Sequence, residues 1–234
     1  MISHEYQCIF IHIPKCAGTS IEQVLLHHEE YDGRGKQDHR SIRSLQVPTI
    51  QKGFKFDREN IIEFVKRKTK FFDKAVNNKN PNPRNEYVLT ADQYKKYYKC
   101  TIVRNPWSRI FSWYRNVEND NLHRRNSNHS NFSDFLRQNI GIGPLRSQLF
   151  WIKDFSGNIN FDFIGKFENL IEDTNLLFSK LGLTEISLPH LIDGYERERK
   201  GPKQNYKDFY DSELIDIVAD YYSDEIKLFG YDFD

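Results

Sequence analysis

Cysteine is scarce in this sequence. Cys8, Cys16 and Cys100 are the three present, so they cannot all pair with one another, and no Cys/His spacing resembles a zinc site. That pattern argues against a disulfide scaffold and suits a reducing compartment. An excess of either charge is also missing: 34 Lys and Arg stand against 33 Asp and Glu. A general nucleic-acid binder is more basic than this, so nucleic acid is not an expected partner and any anion site must be local. No apolar run is long enough to span a membrane. The opening residues, Met1 to Tyr6, carry neither the basic nor the apolar region of a targeting peptide and run almost at once into a first strand. What remains is a chain long enough for one domain with its own core, taken as residues 1–234, and an aromatic content of 15% supports a packed globule.

The chemistry concentrates first in Ile9-Phe10-Ile11-His12-Ile13-Pro14-Lys15-Cys16-Ala17-Gly18-Thr19-Ser20-Ile21. The apolar, β-branched run before Pro14 reads as a buried strand, and Pro14 ends it while holding Ile13 extended. Gly18 lets the backbone bend and approach a ligand. A helix is expected to start at Thr19 or Ser20, since Thr19-x-x-Glu22 and Ser20-x-x-Gln23 are both helix-start patterns. Strand, loop and helix start together turn a ring of backbone N–H groups toward an anion, with Lys15 adding a mobile positive charge. The plain alternative is an ordinary strand–turn–helix joint with Lys15 in water. The spacing is not that of an NTPase loop, because Lys15 does not directly precede Ser or Thr, so a phosphate-like ligand is expected without ATP hydrolysis.

A second strand–helix junction follows at Lys99-Cys100-Thr101-Ile102-Val103-Arg104-Asn105-Pro106-Trp107-Ser108-Arg109-Ile110-Phe111-Ser112-Trp113-Tyr114. The strand ends at Arg104, Asn105 suits an N-cap and Pro106 the first helical position. Trp107, Ile110, Phe111 and Tyr114 form one apolar stripe, while Ser108 and Ser112 share another flank. A strand-end cation and a helical hydroxyl can therefore meet one anion, or they are merely a cap and a surface serine. Arg109 is either a further anion contact or the partner of an acid. Both junctions fall beyond the carboxyl ends of strands, where open α/β sheets bind ligands.

The rest of the chain supplies helices and loops. A first helix over about Thr19 to His28 leads into a polar loop that contains His39, flanked by charge and outside any apolar face. Asp57 to Phe72 reads as a helix with Ile61, Val65 and Phe72 on one side and Lys66, Arg67, Lys68 and Lys70 on the other. Residues 53–85 read as an elaboration rather than a separate domain, with a long polar loop over 77–85. Asn121 to Asn131 reads as loop without metal ligands. Phe132 to Ile140 is a short helix stopped by Gly141, followed by a hinge-like loop over 141–148. Phe161 to Leu170 reads as a third parallel strand running into a helix whose buried side is Phe167, Leu170, Ile171, Leu177, Phe178 and Leu181, with Gly182 as its stop. A basic loop over 197–206 precedes a C-terminal helix, about Ser212 to Phe229, with Leu214, Val218, Tyr221 and Tyr222 inward and Gly230 ending it.

His-Ile-Pro-Lys-x-Ala-Gly-Thr-Ser resembles the 5′-phosphosulfate loop of the sulfotransferases, and Arg-Asn-Pro-x-x-Arg-x-x-Ser-x-Tyr resembles their 3′-phosphate motif. Gly-Lys-Phe-Glu-Asn-Leu resembles a third block of the same family, and the closest likeness is the carbohydrate-sulfating branch, family 2. Cys16 stands where that family more often has Thr. The resemblance covers most of the chain and leaves residues 53–85 unexplained. It implies an α/β, P-loop-like three-layer fold with a central, mainly parallel sheet flanked by helices. It implies 3′-phosphoadenosine 5′-phosphosulfate (PAPS) as donor and a hydroxyl, here a glycan's, as acceptor. Lys15 and His39 are then catalytic, His39 as the acceptor's base. Lys15, Cys16, Ala17, Gly18, Thr19 and Ser20 hold the 5′ end, Arg104 and Ser112 the 3′-phosphate. Phe167 falls near the adenine or packs in the core, and Lys200 and Lys203 close over the nucleotide. Arg146 and Gln148 join His39 as acceptor contacts, and no metal is needed. Eukaryotic members are anchored in the Golgi, so a chain without an anchor reads as a cytoplasmic bacterial relative or a trimmed form. Two other readings stay open: a P-loop small-molecule kinase, disfavoured by the missing Gly-Lys-Ser/Thr and strand-end Asp, and a non-catalytic nucleotide- or glycan-binding module that does not need His39.

Overall fold

The computed structural model describes residues 1–27, 37–46, 53–72, 82–119, 129–183 and 204–233. A four-stranded sheet runs in the order β1 (Ile2–Ser3), β2 (Cys8–Ile11), β3 (Tyr98–Val103), β4 (Phe163–Lys166). β1 is antiparallel to β2, and β2, β3 and β4 are mutually parallel, with Phe10 beside Cys100 and Val103 beside Lys166. This is the expected α/β class with a mainly parallel sheet flanked by helices. β2 and β3 are buried almost throughout, which explains their unbroken apolar character.

Each parallel strand feeds a helix. α1 (Gly18–Val24) follows β2, α5 (Pro106–Asn119) follows β3, and α8 (Leu170–Lys180) follows β4 through a 3-10 turn. Between β2 and β3 lie α2 (Ile42–Leu45), α3 (Arg58–Phe72) and α4 (Ala91–Lys96). α4 begins with a Thr90/Gln93 capping box that the sequence carries openly. α6 (Phe132–Asn139) and α7 (Gln148–Ile152) precede β4, and α9 (Ser212–Tyr221) and α10 (Ser223–Phe229) close the chain.

The core has two parts. The sheet packs with α1, α7 and α8 around Ile9, Ile11, Ile102, Val103 and Phe178. A second cluster joins α5, α6 and α9 through Trp107, Ile110, Phe135, Leu136 and Val218. Asn105 caps α5 as expected, its Oδ1 accepting from the Trp107 and Ser108 N–H groups. Gly182 and Gly230 follow their helices with φ of 78° and 64°, as their role as stops requires.

Several expectations are corrected. α1 begins at Gly18, with Ala17 as its N-cap and no side-chain cap, so neither Thr19 nor Ser20 starts it, and it ends at Val24 rather than His28. α3 does not bury the Ile61/Val65 side: those residues are 46% and 51% exposed. The polar Asn60 is buried instead, because its amide donates to the Lys55 and Phe155 carbonyls and accepts from Arg43. In α8, Thr174 is buried and Ile171 exposed, the Thr174 hydroxyl returning to the Leu170 carbonyl. The C-terminal helix is two helices. Tyr222 breaks it, turning inward to donate its hydroxyl to the Leu145 carbonyl, while Tyr221 faces solvent. The side chains of Lys66, Arg67, Lys68 and Lys70, and most of the 77–85, 121–131 and 197–206 loops with Lys200 and Lys203, lie outside the described residues.

Candidate functional site

Where β2 ends, the backbone turns sharply at Lys15 (φ 70°) and Ala17 (φ 58°), not at Gly18. Gly18 serves a different need. A Cβ there would sit 2.0 Å from Cδ2 of His12, so the missing side chain admits the buried His12 ring. Gly18, Thr19 and Ser20 form the first turn of α1, whose N–H groups have no intrahelical acceptor. The Thr19 and Ser20 hydroxyls make no hydrogen bond among the described residues. Cys16 is not turned to a ligand: its N–H donates to the Ile13 carbonyl, and its buried thiol approaches Gln148 Oε1 at 3.6 Å. Burial pushes that thiol up to about 12, so it stays protonated and unreactive.

Lys15 and Arg104 meet across the ends of β2 and β3. Arg104 donates through Nη1 to the Lys15 carbonyl (3.0 Å) and through Nε to Ser108 Oγ (3.0 Å). Its guanidinium stacks 3.8 Å above the centroid of the half-buried Phe167 ring, which follows β4. Phe167 thus combines core packing with a place beside Arg104. The Lys15 ammonium donates to Asn116 on α5 (3.1 Å), 6.0 Å from the Trp113 ring centroid. Ser112 lies on the same helix flank as Ser108, is buried, and has no hydrogen-bond partner among the described residues. The three strand ends therefore converge on one region.

Buried polar side chains brace that region. Gln148 is wholly enclosed; its Oε1 accepts from the Arg104 N–H (2.8 Å), and its Nε2 donates to the Arg104 carbonyl (2.8 Å) and to Glu225 (3.1 Å). Gln148 is placed away from solvent, both ends of its amide holding Arg104 in place. Glu225, equally buried, also accepts from Ser147 Oγ. Glu168 accepts from the Asn105 N–H (2.7 Å), tying the block after β4 to the one after β3. Arg109 is neither an anion contact nor the partner of an acid. It is fully buried, donates to the Pro144 and Arg146 carbonyls, and so shapes the loop before α7. Arg146 is exposed, its guanidinium 4.6 Å from the Phe150 ring centroid, on a polar cleft of about 440 Å³ that Arg43, Lys55, Lys153 and Tyr221 also line.

His39 sits beyond α1, at the end of the same β2 extension. Its Nδ1 lies 3.2 Å from the His12 carbonyl. A carbonyl only accepts, so Nδ1 carries the hydrogen and Nε2 keeps the lone pair. His39 is exposed as a residue, while one face of its ring lies against the His12 ring at 4.2 Å between centroids. Desolvation first, and His12 second, lower its pKa to about 4, which keeps it neutral near pH 7.

A phosphate-type loop with an early Lys, a strand-end Arg and a neutral His bound to the same strand extension are thus assembled on one sheet. A family model described as the sulfotransferase family matches residues 1–232. The chain belongs to the sulfotransferase family. Sulfuryl transfer is the chemistry this assigns, and the mainly parallel sheet with its strand-end loops is the matching P-loop-like fold. No match was found among curated proteins or among solved structures. Among the described residues no helix is long and apolar enough to cross a membrane. Sequence reasoning missed Gln148 and Glu225 as braces, and Asn116 and Glu168 altogether. Only Glu168 carried a signal, as part of the Gly-Lys-Phe-Glu-Asn-Leu block.

Proposed function

We propose that this sulfotransferase uses PAPS as donor and a glycan hydroxyl as acceptor, within one domain spanning residues 1–234. The observation that carries the reading is the Arg104–Lys15 contact, which joins the two anion-type loops into one site. The Ser112 hydroxyl, one turn beyond Ser108 on α5 and without a hydrogen-bond partner among the described residues, and the hydroxyls and N–H groups of the first turn of α1, suit a ligand with phosphate at both ends. When bound, PAPS supplies the sulfuryl group, whose bond to the 5′-phosphate oxygen breaks as its bond to the acceptor oxygen forms.

Lys15 neutralises charge developing on the leaving oxygen; Ala17, Gly18, Thr19 and Ser20 hold the 5′-phosphate. Arg104 and Ser112 hold the 3′-phosphate, with Phe167 beneath Arg104 and near the adenine. Lys200 and Lys203 are assigned to the loop that closes over the nucleotide. His39 takes the acceptor's proton on Nε2. The rate then comes from positioning and electrostatics, as in phosphoryl transfer, with no metal assigned. Arg146, exposed beside the cleft, is the assigned acceptor contact. Three unpaired, buried cysteines fit a cytoplasmic setting.

The test is transfer of labelled sulfate from PAPS across glycans, tyrosyl peptides and small alcohols, with Lys15→Ala and His39→Ala alongside. Transfer to a glycan that both variants abolish is the expected result. Turnover with ATP and Mg²⁺ instead would favour a kinase. Nucleotide binding without transfer to any acceptor would favour a binding module.

A further inference from the structure

Two buried titratable groups lie behind His39 and have no part in the transfer chemistry. Glu22, on α1, is fully buried, and its Oε1 accepts from the Asp38 N–H (3.0 Å) while lying 3.1 Å from His12 Nδ1. Asp38 immediately precedes His39. His12 in turn offers its carbonyl to His39 Nδ1 and its ring to the His39 ring. One carboxylate oxygen therefore accepts a hydrogen bond from the loop that carries His39 and lies within ion-pair distance of the ring of His12 on the strand end that orients it.

We propose that Glu22, acting with His12, is a positioning residue that holds the His39 imidazole in its Nδ1–H tautomer, leaving Nε2 as the atom able to receive a proton. The proposal rests on the reading of His39 as the base. A hydrogen bond to a carbonyl fixes a tautomer only while the two segments keep their register. The register here depends on Glu22, which contacts both. A buried carboxyl group is costly unless its oxygens are bonded, and the Oε1 contacts of Glu22 go to the two segments that meet at His39. Burial accordingly raises the pKa of Glu22. The other charged or titratable groups around this cluster are Asp38 and Arg40 on the loop, His27 after α1 and the Met1 amino group. Asp38 is engaged by Arg40 at 2.6 Å and by the Met1 amino group at 3.5 Å, so its carboxylate does not stand in for Glu22.

The experiment is ¹⁵N imidazole NMR of the full chain at neutral pH, paired with kinetics. Wild-type His39 should show the Nδ1–H tautomer. In Glu22→Leu, and in Glu22→Asp, which keeps the charge but withdraws the oxygen, both tautomers should appear. In the same variants kcat should fall about tenfold or more with the donor KM unchanged. Glu22→Gln retains an acceptor oxygen and should restore both readouts. Should Glu22→Leu fail to fold, Glu22→Asp carries the test. A wild-type His39 in the Nε2–H form overturns the proposal, as does a pure Nδ1–H signal in the variants, whatever their kcat. The NMR readout needs no turnover. A His39→Ala protein that transfers sulfate normally would end the base assignment by itself.

Discussion

The Arg104 guanidinium donates to the Lys15 carbonyl across 3.0 Å, although 89 positions separate the two residues in the chain. The bond crosses from the end of β3 to the loop after β2, so the cation assigned to the 3′-phosphate also stiffens the loop assigned to the 5′ end. A doubly charged adenosine ligand would meet both at once.

Arg104→Ala should therefore do more than remove one ion pair. Charge-assisted hydrogen bonds contribute about 1.5–3 kcal/mol each, so affinity for 3′-phosphoadenosine 5′-phosphate should fall roughly 10- to 100-fold. Arg104→Lys should recover little, since an ammonium cannot reach Ser108 and Lys15 together while stacking on Phe167. Calorimetric titration of the nucleotide checks this, and unchanged affinity in Arg104→Ala would refute the 3′-phosphate assignment.

With His39 as the proposed base, its protonation sets the pH dependence of transfer. Its pKa is lowered to about 4, so the neutral, proton-accepting form persists well below pH 6.5. The acid limb of kcat should lie near pH 4 to 5, not near 6.5, in a pH–rate profile of the wild type. The same depression has a stability consequence. Between about pH 4 and 6.5 the unfolded chain binds more protons at this site than the folded one, so stability contributed here is full above 6.5 and lost as pH falls toward 4. His39→Asn should flatten that part of the stability curve. An acid limb at pH 6 to 7 would mean that the imidazole is not held in the environment described.

Both strand–loop–helix junctions were legible because each is a local pattern: an apolar run, a breaker, then helix-start chemistry. Their convergence followed from the parallel order of β2 and β3. Long-range side-chain bonds were not legible. Gln148 and Arg109 look like surface contacts in sequence, yet each is buried and holds backbone carbonyls contributed by other segments. α3 misled for a related reason, since Asn60 wins burial over Ile61 through three tertiary hydrogen bonds that periodicity does not encode. The bend was assigned to the glycine when Lys15 and Ala17 adopt it, because Gly18 is needed for space and not for its φ.

Gln148→Ala separates bracing from acceptor contact. It strands the Arg104 N–H and one Glu225 oxygen in a closed interior, each loss costing about 1–3 kcal/mol. The melting temperature should drop by roughly 4–24 °C, taking about 2–4 °C per kcal/mol for a chain of this size. Acceptor KM should change far less than that of Arg146→Ala, which removes the exposed guanidinium while leaving the core intact. Thermal unfolding together with acceptor kinetics distinguishes the two. An undiminished melting temperature with a raised acceptor KM in Gln148→Ala would return it to the acceptor.

Gly18 and His12 should be coupled more strongly than any other pair in the loop. Gly18→Ala drives a methyl group into the His12 ring, and overpacking of this kind costs about 1–3 kcal/mol. His12→Ala is destabilising for the opposite reason: it empties the space above Gly18 and deprives Glu22 of a contact at 3.1 Å. Combined, the new methyl group occupies part of the space left by the ring, so the double variant should be less destabilised than the two single losses added together. A double-mutant cycle by chemical denaturation measures this, and the expected coupling is about 1 kcal/mol or more. Strict additivity would show that the loop moves away from His12 freely, and that the ring does not fix where Lys15 stands.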